Sequence, residues 1–152
     1  MGTSFAEVSW DQTFPASARF TVLGGLANEA VLDRETGLVW ERAPNSCVLS
    51  FQDAIRRAQH LRTGGRMGWR MPRVEELFSL LDPAQINSGG QPALPIGHPF
   101  AGTISGLFWV RDRGDAPPQD DSGALALAID AALLQFVSPS MKAHVWCTRG
   151  PA

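Results

Sequence analysis

Six arginines, Arg56, Arg57, Arg62, Arg66, Arg70 and Arg73, fall within residues 56–73 of a 152-residue chain whose single lysine is Lys142. A guanidinium presents a planar fork of donors that matches the oxygens of sulfate, carboxylate or phosphate. The cluster therefore suits anion recognition, with Arg56, Arg57, Arg62 and Arg66 as candidate contacts. The competing use is scaffolding: a solvated helix face, with Arg70 as an internal ion-pair partner of Glu75 or Glu76. Tryptophan offers a second chemistry. An exposed indole face beside polar groups can stack on a sugar, whereas a buried one only fills a core. Trp40, Trp69 and Trp146 read as core. Trp109, followed by Arg111 and Arg113, reads as the candidate ligand face.

Other groups give weaker patterns. Asp112, Asp115, Asp120 and Asp121 place hard oxygen donors close together, and Asp115, Asp120 and Asp121 are the weak calcium candidates. Pro117 and Pro118 interrupt them and no calcium-loop spacing is present, so a solvated loop is the expectation and no metal is assigned. His60, His98 and His144 form no ligand pattern. Cys47 and Cys147 are the two cysteines and lie far apart. That excludes a CxxC motif and leaves one long-range disulfide open. There is no nucleophile elbow, phosphate loop or evident triad, so neither an enzyme nor a cofactor is expected.

The elements that must position these groups are those of an ordinary globule. The chain is 44% hydrophobic and 18% charged, with a net charge of −2. A chain of this length buries about 68–70% of its unfolded surface and needs no metal to fold. The weak net charge supplies no whole-molecule field for nucleic acid or a membrane surface. No apolar run reaches the roughly 18 residues of a membrane span, and "MGTSFAEVSWDQTF" lacks the features of an export signal.

Residues 1–18 have no period and read as an extended arm, leaving 19–152 as the domain. "RFTVLG" alternates as a short strand. "EAVLDRETGLVWER" reads as a hairpin, Ala30–Leu32 and Leu38–Glu41, with Gly37 in its turn. "SFQDAIRRAQHLR" is the strongest helix, capped by Ser50 and ended by Gly64 and Gly65. A second helix follows Pro72, with Glu75 and Glu76 in its first turn. Residues 84–107 form a long excursion, "GLFWVRD" a strand, and "AHVWCTRG" a closing strand. The stretch "ALALAIDAALLQFVS" is ambiguous. Its alanine and leucine content favours helix, yet its apolar residues also alternate.

Five segments in order, "AVLDRETGLVWER", "SFQDAIRRAQHLRTGGRMGWRMPRVEELFSLLDP", "LPIGHPF", "LFWV" and "HVWCTRG", resemble the Lcl C-terminal domain family over about residues 20–150. The resemblance implies an α+β, C-type-lectin-like fold related to formylglycine-generating enzymes: two helices packed on a small antiparallel sheet beneath long loops. It resolves the ambiguous stretch into two strands, with Asp130–Ala132 at the turn. The chain departs from the family pattern in three places. The cysteine usual in the first helix is replaced by Ala58, which leaves a relocated Cys47–Cys147 bridge open. "FWVRDR" stands where the family often has "YWS" and a hydroxyl residue. "DAA" stands where the late hairpin often has glycine.

The family's namesake is an adhesin associated with sulfated glycosaminoglycans. The resemblance therefore implies a non-catalytic recognition domain of adhesin type, binding an anionic glycan or a protein partner. Loops 85–122, with Trp109, Arg111 and Arg113, would form the face. A full-length parent would place it outside the cell or in a periplasm; the chain as written, with no signal peptide, would be cytoplasmic. The alternative is an assembly or variable-display module, with oligomers. A formylglycine-generating-like enzyme is the third reading, and fold sharing alone gives it no activity.

Overall fold

A computed structural model of the protein describes residues 14–44, 47–87, 92–102, 106–111 and 123–150. Three α-helices occur in the described chain, α1 (Ala16–Arg19), α2 (Phe51–His60) and α3 (Val74–Ser79), besides three single 3-10 turns at Gly24–Leu26, Thr63–Gly65 and Pro83–Gln85. The strands are β1 (Phe20–Val22), β2 (Ala30–Asp33), β3 (Val39–Glu41), β4 (Leu107–Val110), β5 (Ala124–Ala128), β6 (Leu133–Val137) and β7 (Thr148–Arg149). They form two antiparallel sheets, ordered β1-β2-β3-β7 and β4-β5-β6. The class is α+β. None of its described helices is long and apolar enough to cross a membrane.

Local chemistry explains the elements. Gly37 holds φ 79° at the β2–β3 turn, and its N–H donates to Asp33 O at 2.8 Å. Gly37 supplies this left-handed conformation without the cost a side chain would incur. Ser50 Oγ accepts from the Asp53 N–H at 3.2 Å and caps α2. The apolar residues of α2, Phe51, Ala54, Ile55 and Ala58, face the interior. In α3 the Glu76 carboxylate reaches back to the Arg73 N–H at 2.8 Å, which satisfies an orphan donor of the first turn.

The stretch 124–137 is a strand pair despite its helix-favouring composition. Leu125 faces Phe136 and Leu127 faces Leu134 across it. As strands, the two sides feed different cores. Leu127 joins the cluster of Trp40, Phe108 and Trp146, while Ala124 and Ala126 join that of Phe51, Trp69 and Trp109. A helix could not present leucine and alanine alternately to two opposed surfaces; tertiary context overrides propensity here. The turn carries Ala132 at φ 53°, which accounts for the family's glycine there.

Two expectations need correction. The arm read as extended contains a helical turn, because Ala18 and Arg19 N–H groups both donate to Pro15 O, at 2.9 and 2.8 Å. The expected boundary after residue 18 thus falls inside α1; residues 1–13 lie outside the described chain. The closing strand is also shorter than "AHVWCTRG". Only Thr148 and Arg149 join a sheet, while Ala143 bridges Leu49 and His144 bridges Phe108. One segment thereby passes from the smaller sheet to the larger.

Distant tryptophans meet in the interior. Trp40 and Trp146 pack edge to face at 5.8 Å, and Trp146 also meets Phe100 at 4.9 Å. Pairing of β3 with β7, Val39 opposite Arg149, fixes that convergence.

Candidate groove of the larger sheet

The arginines do not act as one patch. Arg57 turns inward: its Nη2 lies 3.0 Å from Glu41 Oε1, and its Nη1 lies 3.4 Å from Cys147 Sγ. Glu41 is 3% exposed and also accepts the Cys147 N–H at 2.8 Å. Burial lowers the Arg57 pKa, and the bonded Glu41 carboxylate more than reverses that, so it stands above its ordinary value. This ion pair removes Arg57 from the expected ligand contacts. Arg56 is exposed and pairs with Asp53 one helical turn away at 2.9 Å. Arg62 is exposed and donates to the neighbouring Leu61 O. Arg70 is a scaffold residue, forked onto Glu76 at 2.7 and 2.8 Å and donating to Gly150 O.

Trp109 is a second correction. It is 0% exposed, its indole N–H donates to Leu49 O at 2.7 Å, and its ring meets Phe51 edge to face at 5.4 Å. Both faces of β4 are buried, Phe108 and Val110 in one core cluster and Trp109 in the other, so Trp109 cannot stack on a ligand. Arg111 is half-buried, and its backbone bonds Pro72 and Val74 at the start of α3. Arg113, Asp112, Asp115, Asp120 and Asp121 lie outside the described residues, as does much of the expected 85–122 face.

Arg66 remains, and the fold gives it a partner. The glycine turn Thr63–Gly65 packs against the turn Gly24–Leu26. A Cβ on Gly64, at φ +65°, would lie 2.8 Å from Leu26 Cβ. Only glycine therefore lets the turns touch. Glu29 Oε1 fastens the contact by accepting the Gly64 N–H at 2.8 Å. Trp69, 3% exposed, anchors the same corner by donating to Thr63 O and Arg66 O at 3.2 and 3.1 Å. Its shape leaves Arg66 outside, at the rim of an open groove of about 510 Å³.

The opposite cation of this groove is Arg149 on β7. Its Nε donates to Met67 O at 3.0 Å, and its guanidinium lies 5.9 Å from the Trp69 ring centre. Val22, Leu23 and Val39 give apolar walls, and Gly24 and Gly25 leave backbone accessible. Val39 and Arg149 are cross-strand neighbours, so the sheet register sets the rim. Sequence reasoning missed Arg149 as a site residue. Its signal was register: a half-exposed arginine paired opposite a strand valine, visible only once β3 and β7 are known to be neighbours.

The two cysteines are not bonded to each other; Cys47 is exposed and Cys147 buried. The Cys47 carbonyl lies 3.3 Å from His144 Nδ1. Burial, then the Glu41 carboxylate, pushes the Cys147 thiol above its ordinary range, with Arg57 opposing. A thiol so placed is inert. Titration of the native protein with a thiol reagent is expected to label one cysteine, and titration in denaturant two. Labelling neither in denaturant would instead indicate a disulfide.

Residues 29–149 match the Lcl C-terminal domain. The chain belongs to that family. No characterised protein gives a significant match. The match runs from the residue before β2 to the end of β7, so both Arg66 and Arg149 lie within the Lcl C-terminal domain, while Val22 and Leu23 of the groove precede it. Ala58, where the family's helix cysteine is expected, is 3% exposed and shares a core cluster with Cys147. Cys147 thus keeps its interior place without that partner, and Arg57 lies against its sulfur instead. Among the described residues no group of three His, Cys, Asp or Glu side chains is arranged to hold a metal.

Proposed function

We propose that this Lcl C-terminal domain is a non-catalytic recognition module of adhesin type that binds anionic glycans, sulfated or carboxylated, in the Arg66–Arg149 groove. The observation that carries this reading is the placement of two arginine side chains on one open, partly apolar groove. Arg149 is pinned by Met67 O and Trp69, so holding it for a ligand costs little extra side-chain entropy. The apolar walls suit the CH faces of a sugar ring, and the guanidinium forks suit its anionic substituents. With a net charge of −2, attraction must be local and steeply weakened by salt. A glycan partner on a cell surface or in a periplasm fits the family's namesake. A non-catalytic reading also fits the cysteines, which are one exposed and one buried and make no reactive pair.

A charge-assisted hydrogen bond contributes about 1.5–3 kcal/mol, so loss of both arginines should weaken binding by at least about tenfold. Arg66→Glu, and Arg66→Ala with Arg149→Ala, should elute from immobilised heparin at markedly lower salt than the parent. Arg56→Ala serves as the surface control and should elute with the parent. Unchanged elution of both groove variants would defeat the proposal. Arg66→Glu alters an exposed side chain and so separates lost binding from lost folding.

A further inference from the structure

Among the described residues β6 is an unpaired edge of the smaller sheet, and none of its residues lines the arginine groove. Two of the other edges are bridged, β4 by His144 and β7 by Arg70, and the three-residue β1 is too short to offer a long edge. Among the described residues β6 pairs with β5 alone. Ile129 N–H donates to Gly106 O, so residues 125, 127 and 129 turn their backbone groups towards β4. Ala124, Ala126 and Ala128 then bond to Val137, Gln135 and Leu133 of β6. By the same alternation Leu134 and Phe136 direct N–H and C=O outward.

We propose that this edge pairs with a second copy of the chain, β6 against β6, antiparallel about a twofold axis at Gln135. In that register Leu134 of each copy lies opposite Phe136 of the other, and both are the residues with outward backbone groups. Each such pair exchanges two N–H···O bonds, and Gln135 faces Gln135 in the intervening non-bonded position. A strand that meets itself must carry no charge that would repel its own copy. Residues 131–141 contain no Asp, Glu, Lys or Arg. This is the reverse of the charged edges that usually block such pairing. Phe136 is 65% exposed, yet its ring is held: a Cβ on Gly123 would lie 2.8 Å from its Cε2. The ring lies over Gly123 backbone, ready to cover Leu134 of the second copy. One strand pair is a small interface, so the dimer is weak and concentration-dependent.

Sedimentation equilibrium of the whole chain across a concentration series tests this. The mass should rise from 16.4 kDa towards twice that value. Phe136→Lys, at an exposed position, should fold and remain at the monomer mass throughout. Gln135→Cys in a Cys47→Ser background should cross-link on oxidation, because the facing Cα atoms would be about 4.5 Å apart. A parent that stays monomeric, a dimer that survives Phe136→Lys, or no cross-link at dimer-forming concentrations would overturn the proposal. None of these outcomes bears on the arginine groove.

Discussion

Asp33→Ala is expected to lower the unfolding free energy by about 3–5 kcal/mol, measured as a fall in the urea midpoint at unchanged slope. Arg19 is 2% exposed and Asp33 0%. Arg19 Nε and Nη2 donate to the two Asp33 oxygens, both at 2.8 Å, and Nη2 donates also to Ser79 O at 2.6 Å. This pair ties α1, β2 and the end of α3 together. Removing the carboxylate leaves a guanidinium with one carbonyl and almost no water. An uncompensated buried charge of this kind is far more costly than the intact pair is stabilising. Total stability for such domains is about 5–15 kcal/mol, so the variant should be marginal. Replacing both residues by apolar ones of similar volume should recover much of the loss. A loss below about 1 kcal/mol in Asp33→Ala would mean that Arg19 reaches solvent.

Trp146→Ala should cost a similar amount, about 3–5 kcal/mol. The ring is 0% exposed and lies against Trp40, Phe100 and Phe108. These neighbours come from separate segments, 40, 100 and 108, so no local rearrangement fills the void. The indole N–H donates to Glu41 O at 2.9 Å. Trp146→Phe keeps most ring contacts and loses that bond, at about 1–3 kcal/mol for the stranded carbonyl. The comparison separates packing from hydrogen bonding, again by denaturant midpoint.

Much of the fold could be read from the residues, and the reasons differ by element. Helix α2 was legible because Ser50 and the apolar stripe agree, although it stops at His60, where Leu61 turns extended, and not at Gly64–Gly65, which form a separate turn. The β2–β3 hairpin was legible through Gly37. Residues 124–137 were not legible from composition, because alanine and leucine prefer helix when no neighbour is specified. Their alternation left strands open, and the ordered family segments decided for them. The division into two sheets escaped the sequence because it depends on which strands meet, and Thr148 and Arg149 pair with β3 from more than a hundred positions away.

The site was legible only in its residue types. An arginine cluster marks where guanidinium forks exist; direction decides which are available. Arg57 and Arg66 are nine positions apart, yet one faces a buried carboxylate and the other a groove. Helical phase turned Arg57 towards Glu41, which the sequence places in another element. Trp109 failed as a ligand contact for the same reason. Strand β4 runs between two core clusters and is buried on both faces, and adjacency to arginines does not change that.

The groove itself is tested most directly by titrating the isotope-labelled domain with a sulfated oligosaccharide and following backbone amide resonances. The account predicts that Val22–Leu26, Val39, Arg66–Gly68 and Arg149 shift together, and that added salt reverses the shifts. Perturbation confined to α2 around Arg56, or to β4 and Arg111, with the groove resonances unmoved, would contradict it.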